Sequence, residues 1–256
     1  MLHCVQHNIS QTSSPKWTYV QVHPHRIKGN PMEPDLLRTF PLFSDLNAAE
    51  LEFVSKAMVL RKFRKNNLII FEDDVGNSLF VIKSGRVKIS RTAQDGSEAI
   101  LAILGLGDFF GELSVIDGLG RSASVISIDD VELLMLRRVD FLDLLERIPK
   151  IAISLLKELA GRIRKSDSHI RSLSLLDAKG RVATTLIRLA EDIGKIRDGK
   201  MTIEELPLQR DLASIAGTSR ETISRVLSRF DDEGHINTEH DALIFNDFKS
   251  FKKLYT

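Results

Sequence analysis

The chain is 256 residues long, 43% hydrophobic and 28% charged, with 36 Lys/Arg, 35 Asp/Glu and a formal net charge of +1. That length allows two domains with real cores, and the charge balance excludes a global electrostatic pull toward nucleic acid. A single cysteine, Cys4, excludes a disulfide framework within one chain and any all-cysteine metal site.

Residues 1–31 are polar, rich in His, Gln, Ser and Pro, and aperiodic, which predicts a disordered leader. Its histidines, His3, His7, His23 and His25, match no metal-ligand spacing, and solvated coil is the better reading. Organised sequence begins at Met32, which makes Met32 a candidate natural start. The first residues carry neither a basic segment with an apolar core nor a lipidation motif, and no run approaches the ~20 apolar residues that span a bilayer. The cytoplasm is the expected compartment, with no membrane partner and no metal.

A strand domain is expected over 32–146. Residues 35–58 read as short helical pieces, broken at Pro41. Strand candidates follow at 69–71, 79–82, 87–89, 99–103, 123–127 and 131–135, separated by turns such as Gly76-Asn77, Ser84-Gly85 and Asp95-Gly96. Many short strands with evenly spaced turns predict an antiparallel barrel or sandwich.

Inside this region, Gly107-Asp108-Phe109-Phe110-Gly111-Glu112-Leu113-Ser114 and Gly120-Arg121-Ser122-Ala123 form a candidate anion site. Gly111 removes a side chain where backbone would approach a ligand, and a helical turn starting there would present N–H groups to a phosphate. Glu112 suits sugar hydroxyls, Arg121 is a bidentate phosphate donor, and Ser122 adds a hydroxyl. The competing reading is a buried Glu112–Arg121 ion pair that only holds a loop. A phosphodiesterase-like enzyme using Glu112, Arg121 and Ser122 is a remote alternative. No metal-ligand cluster and no nucleophile–base pair accompanies them, so no catalytic residue is assigned.

A long helix is expected over 139–176 with a break at Pro149, and residues 147–176 form the expected dimerisation helix. Leu156, Leu159, Ile163, Ser166, Ile170 and Leu173 recur at spacings of 3, 4, 3, 4 and 3. Such a heptad seam packs best against its own copy; packing onto the strand domain is the alternative. Ser166 is a polar residue in this apolar seam, which points to register or to contact with something bound. Asp177-Ala178-Lys179-Gly180-Arg181 interrupts the pattern as a candidate hinge, and a new helix over 182–193 leads through a Gly/Lys/Asp linker into the last module.

Residues 177–256 read as a winged helix-turn-helix. Leu212, Ala213 and Ala216 lie on one side of a first helix, and Gly217 supplies a left-handed turn. Thr218 is the expected N-cap of the second helix, with Glu221 completing a capping box. Ile223, Val226, Leu227 and Phe230 recur at i, i+3, i+4 and i+7 and mark its buried stripe. Arg220, Glu221, Ser224, Arg225 and Ser228 fall outside it, where a recognition helix meets base edges. Glu221 as a mere cap, or as an i,i+4 partner of Arg225, is the blander reading. Ile236-Asn237 and 242–245, around a turn at Glu239-His240-Asp241, predict the hairpin of a wing. This region is slightly acidic, which favours a specific DNA reader over a non-specific one.

Three blocks carry a family resemblance: Phe110-Gly111-Glu112-Leu113 with Arg121-Ser122-Ala123, the run from Leu176 through Asp177, Gly180 and Arg181 to Val182, and Thr218 to Arg225. Over residues 35–245 the sequence resembles cyclic-AMP receptor protein/fumarate-nitrate regulator (CRP/FNR) transcription factors. The resemblance implies an α+β fold: an N-terminal antiparallel β-roll of cyclic-nucleotide-binding type, a long dimerisation helix and a C-terminal winged helix-turn-helix. It implies that Gly111, Glu112 and Leu113 belong to the phosphate-binding cassette, with Glu112 on the ribose 2′-hydroxyl and Arg121 and Ser122 on the cyclic phosphate. Ser166 and Asp167 fall where the adenine amino group is met, and Arg162 where an arginine supports the pocket. Asp167 departs from the family's hydroxyl there, and Ser114 and Gly120 depart from the commoner Ala and Pro. Thr218, Ser219, Arg220, Glu221, Ser224 and Arg225 would contact DNA. Arg220, Glu221 and Arg225 match the cyclic-AMP receptor readers of a TGTGA-like half-site; Glu221, Ser224 and Arg225 equally match the fumarate-nitrate branch. That branch's iron–sulfur cluster is excluded by the single cysteine.

The implied function is a non-enzymatic, homodimeric regulator whose DNA binding is controlled by cyclic AMP, with double-stranded DNA and RNA polymerase as partners. The alternatives keep the DNA reader and change the sensor: a cyclic dinucleotide, haem at His169, or no effector.

Overall fold

The computed structural model describes residues 34–239 and 241–255. The leader expected over 1–31, its histidines, Cys4 and the wing-turn residue His240 lie outside them.

The chain opens with α1 (Pro34–Leu37), a 3-10 turn at Pro41–Phe43 and α2 (Ala48–Ala57). Asn47 and Glu50 cap α2 reciprocally: Asn47 Oδ1 accepts from Glu50 N at 2.9 Å and Glu50 Oε2 from Asn47 N at 2.7 Å. Strands β1 (Val59–Phe63), β2 (Leu68–Ile70), β3 (Ser78–Ser84), β4 (Val87–Thr92), β5 (Glu98–Leu104) and β6 (Phe109–Phe110) follow, then α3 (Glu112–Asp117), β7 (Ser124–Ser127) and β8 (Val131–Arg137). They form two four-stranded antiparallel sheets, ordered β1-β8-β3-β6 and β2-β7-β4-β5. Two of these strands lay outside the sequence candidates: β1, and β6 within the cassette.

Between the sheets lies an apolar layer that includes Phe63, Ile70, Ile82, Val87, Leu133 and the stacked pair Phe80 and Phe110, whose ring centroids are 5.2 Å apart. The other face of the first sheet buries Leu79, Val81, Leu134 and Leu136 against the N-terminal helices and against α4 (Arg138–Arg147) and α5 (Pro149–Leu175). Pro149 lacks an N–H and suits the first turn of a helix. The long helix is therefore two, ending at Arg147 and restarting at Pro149.

The last part begins with α6 (Ala178–Ile193), four residues earlier than the apolar pattern suggested. Asp177 sets that start, because its Oδ1 accepts from Gly180 N at 2.8 Å. The expected linker is instead a hairpin, β9 (Lys195–Arg197) and β10 (Lys200–Ile203). Asp198 and Gly199 both take positive φ in its turn. After α7 (Gln209–Ala216) and α8 (Arg220–Asp232), the wing strands β11 (Ile236–Glu239) and β12 (Ala242–Phe245) join it in one sheet ordered β11-β12-β10-β9. The helix α9 (Phe248–Tyr255) closes the core, with Phe251 among the rings of Phe230, Phe245 and Tyr255. The architecture is the expected one: β-roll, long helix, winged helix-turn-helix.

The two halves share apolar surface. Ile100 and Ile103 of β5 are buried in the core of the helix-turn-helix half. Beside them Ser214 Oγ of α7 donates to Glu98 O and accepts from Ile100 N, and Arg86 reaches both Asp129 and Glu205.

Candidate functional site

The cassette turn is built around a glycine and an arginine. Gly111 has φ 82°, and a Cβ there would lie 2.6 Å from Arg121 Nη1 and 2.9 Å from Ser78 O. Only glycine combines that backbone with that closeness. Gly111 is the residue before α3, so the first N–H groups of that short helix open beside the arginine. Arg121 is 7% exposed. Its Nη1 donates to Gly111 O at 3.0 Å and to Ser114 Oγ at 2.8 Å, and its Nη2 to Ser78 O at 2.9 Å. Burial pushes the guanidinium pKa down, opposed by the attraction of Glu112 and Asp74. Ser114, a departure from the family's alanine, therefore has a use: its hydroxyl helps to seat Arg121.

Glu112, 5% exposed, is joined to Arg162 of α5 rather than to Arg121: Arg162 Nη1 donates to Glu112 Oε1 at 3.0 Å. Arg162 also donates to Phe109 O and lies 4.3 Å over the Phe109 ring. The loop-holding Glu112–Arg121 pair is thus replaced by a clamp that ties the cassette to the long helix.

A cavity of about 670 Å³ opens on these groups. Gly111, Glu112, Leu113, Arg121, Ser122, Arg162 and Ser166 all line it; Asp167 does not, and is exposed on α5. His169 also lines it, and burial followed by the nearby Arg188 charge pushes the imidazole pKa down. The far wall comes from the other half of the chain: Arg188, Leu189 and Asp192 of α6 and Ile215 of α7.

At the helix-turn-helix, Gly217 takes φ 57° after α7, and α8 buries Ile223, Val226, Leu227 and Phe230. The N-cap of α8 is Ser219, not Thr218: Ser219 Oγ accepts from Thr222 N at 3.2 Å. Thr218 is committed to the preceding helix, because its N–H donates to Ala213 O at 3.0 Å. The third helical position is then Thr222, so Glu221 cannot close a capping box. Arg225 Nη2 lies 3.5 Å from Thr222 Oγ1. Ser219, Arg220, Glu221, Ser224 and Arg225 are exposed together, with Thr218 half-buried. The Glu221 carboxyl is held below its usual pKa by its own backbone N–H, Ser219 and Arg220.

A family model described as a cyclic nucleotide-binding domain matches residues 60–148, and one described as a Crp-like helix-turn-helix domain matches residues 180–254. The cyclic AMP receptor protein of Thermus thermophilus is 38% identical over 194 residues, 76% of this chain and 87% of the relative. This chain belongs to the CRP/FNR family. The CRP-like cAMP-activated global transcriptional regulator of Mycobacterium tuberculosis is 30% identical over 213 residues, 83% of this chain and 95% of the relative. Among solved structures, FixK2 of Bradyrhizobium japonicum has the same fold, with a TM-score of 0.69 at 23% identity over 78% of this chain and 98% of that one. As a CRP/FNR member the chain is a DNA-binding transcription regulator that dimerises and carries a cyclic-nucleotide-binding domain.

In this CRP/FNR chain the seam of α5 is largely uncovered. Leu156, Ile163 and Ile170 are 66%, 63% and 61% exposed, while Leu159 packs on the β-roll core. Arg181, inside the hinge block, had no role assigned from sequence. Its guanidinium donates to Leu176 O, Ala216 O and Gly217 O, tying the hinge to the helix-turn-helix corner. Among the described residues no helix is long and apolar enough to cross a membrane, and no group of three His, Cys, Asp or Glu is placed to hold a metal ion.

Proposed function

We propose that this chain is a homodimeric, non-enzymatic, cytoplasmic regulator whose affinity for a near-palindromic promoter site rises when cyclic AMP fills the cavity. The observation that carries this reading is the convergence of Gly111, Glu112, Arg121, Ser122 and Ser166 on one cavity. These groups fit the nucleotide's chemistry. When bound, it supplies a phosphate anion, a ribose hydroxyl and a base edge, and no covalent chemistry. Arg121 has five N–H donors, and its hydrogen bonds to Ser78, Gly111 and Ser114 use three. The remaining donors, the Ser122 hydroxyl and the N–H groups opening α3 would take the cyclic phosphate. Glu112, oriented by Arg162, would accept from the ribose 2′-hydroxyl, and Ser166 would meet the adenine amino group. Asp167 would meet a base only in the cavity of a second copy.

Control requires that the ligand bind one arrangement of the two halves better than another. The cavity supports this, because its walls come from the β-roll, from α5 and from α6 and α7. Calorimetry on the nucleotide-free protein is the test. We expect heat with cyclic AMP, and tighter binding of a palindromic site in its presence. No heat with either cyclic AMP or cyclic GMP removes the effector reading and leaves the DNA reader standing.

At the DNA, Arg220, Glu221 and Arg225 would read a TGTGA-like half-site, with Ser224 beside them and Thr218 and Ser219 on the phosphates at the start of α8. RNA polymerase is the expected protein partner. Arg220→Ala should cost about 1–3 kcal/mol on the specific site and relax base preference at one position. Scrambled DNA should be bound nearly as before; equal loss on both in a gel-shift titration contradicts the assignment.

A further inference from the structure

Among the described residues, the cavity holds one cation that its protein surroundings do not satisfy. Arg121 has three acceptors, Arg162 has Glu112 and Phe109 O, and Lys165 has Asp192 at 2.6 Å. Arg188 of α6 lines the same cavity and is half-buried. Among the described residues it makes no hydrogen bond or ion pair. Asp192, one turn further along α6, attracts it only at a distance and is already held by Lys165. Of the other acids lining the cavity near it, Glu191 is bonded to Lys252. Removal from water pushes the guanidinium pKa down, and the charge in turn depresses the nearby His169.

A desolvated cation without a partner destabilises the fold. Where such a group faces a cleft, a ligand that completes it is the physical explanation. The rest of the proposed effector is already provided for: the phosphate by Arg121 and the ribose by Glu112. The acceptors left over are those on the nucleobase, ring nitrogens in adenine and a carbonyl as well in guanine, and arginine is the side chain best shaped to donate to such an edge.

We infer that Arg188, carried by the DNA-binding half of the chain, is an effector-contacting residue that donates to the acceptor edge of the bound nucleobase. The inference rests on the cyclic-nucleotide reading above and adds to it a direct route from ligand to DNA-binding domain. The cassette belongs to the β-roll and Arg188 to α6, so a nucleotide gripped by both bridges the two halves. That contact exists only when α6 lies against the cavity as it does here. It therefore supplies the difference in affinity between arrangements that coupling requires.

The test is calorimetry with cyclic AMP on the full chain, wild type beside Arg188→Met and Arg188→Lys, with melting curves of each in the absence of nucleotide. Methionine keeps an unbranched apolar stem and removes charge and donors. Arg188→Met should weaken cyclic AMP binding about 10- to 100-fold, with Arg188→Lys in between. The ligand-free melting temperature of Arg188→Met should be unchanged or higher, since an uncompensated charge has left a desolvated site. That opposite movement of binding and stability is what a structural role would not give. Wild-type affinity in Arg188→Met, or a lower ligand-free melting temperature alongside the loss of affinity, overturns the inference. Heat with the wild type keeps the effector reading intact in either case; a wild type that binds no cyclic nucleotide removes both.

Discussion

Arg121→Ala is expected to weaken cyclic AMP binding by at least about 100-fold while the β-roll stays folded. The magnitude follows from two or more charge-assisted hydrogen bonds to the phosphate, each worth about 1.5–3 kcal/mol. The retention of fold follows from what Arg121 does without ligand. Its partners are two carbonyls and the Ser114 hydroxyl, all beside a cavity that water can enter. Deleting the side chain leaves acceptors that water can satisfy and removes a desolvated charge. Arg121→Lys should rescue little. A single ammonium cannot hold Gly111 O, Ser114 Oγ and Ser78 O and still present a fork to the phosphate. Calorimetry with cyclic AMP and a thermal melt of each variant decide the matter. Undiminished binding by Arg121→Ala would move the phosphate elsewhere in the cavity, and a collapsed melt would make Arg121 a structural residue.

What the sequence made legible was local. The helix-turn-helix could be read because its apolar stripe, its glycine and its polar face lie within about 20 residues of one another. The cassette could be read because Gly111, Glu112 and Arg121 are close in sequence. Even there the local reading slipped by one residue. Thr218 and Ser219 are equally good caps by type, and only the closing hydrogen bond of α7 onto Thr218 N passes the role to Ser219.

The features that were missed depend on contacts far apart in the chain. Ser214 meets Glu98 and Arg86 meets Glu205 across more than 110 residues. Nothing in the sequence singles out Arg188 of α6, and only the fold places it in the wall of the effector cavity. The partner of Glu112 is another such case, because nothing in the spacing distinguishes Arg121 from Arg162. The short strands β9 and β10 carry too few apolar residues to announce themselves. What stabilises them is the sheet, in which β10 pairs with the wing strand β12 and β9 pairs with β10.

The second large effect concerns the seam of α5. Leu156→Glu combined with Ile163→Glu should convert the protein to a folded monomer and remove its preference for a palindrome over a single half-site. The monomer should fold because neither side chain belongs to a core of its own chain: they are 66% and 63% exposed. The helix itself remains anchored through Ile151 and Leu155, which are buried against the β-roll. Across a dimer the same two positions, one heptad apart, would each bury an apolar side chain worth about 1.5–3 kcal/mol. The double substitution removes that gain from both copies and places four carboxylates in one apolar seam, so the dimer loses several kcal/mol. DNA binding suffers through geometry rather than chemistry. Two reading heads linked at the spacing of adjacent major grooves, about 34 Å, bind a palindrome with an avidity gain of roughly 10²- to 10⁴-fold that separate heads cannot have. Affinity for an isolated half-site should therefore stay within about threefold of wild type, since Arg220, Glu221 and Arg225 are untouched. Sedimentation alongside gel shifts on paired and single half-sites reads both quantities. A double variant that remains dimeric would mean that the copies meet through some surface other than α5. In that case Asp167, which does not line its own chain's cavity, would lose its route to a neighbouring one as well.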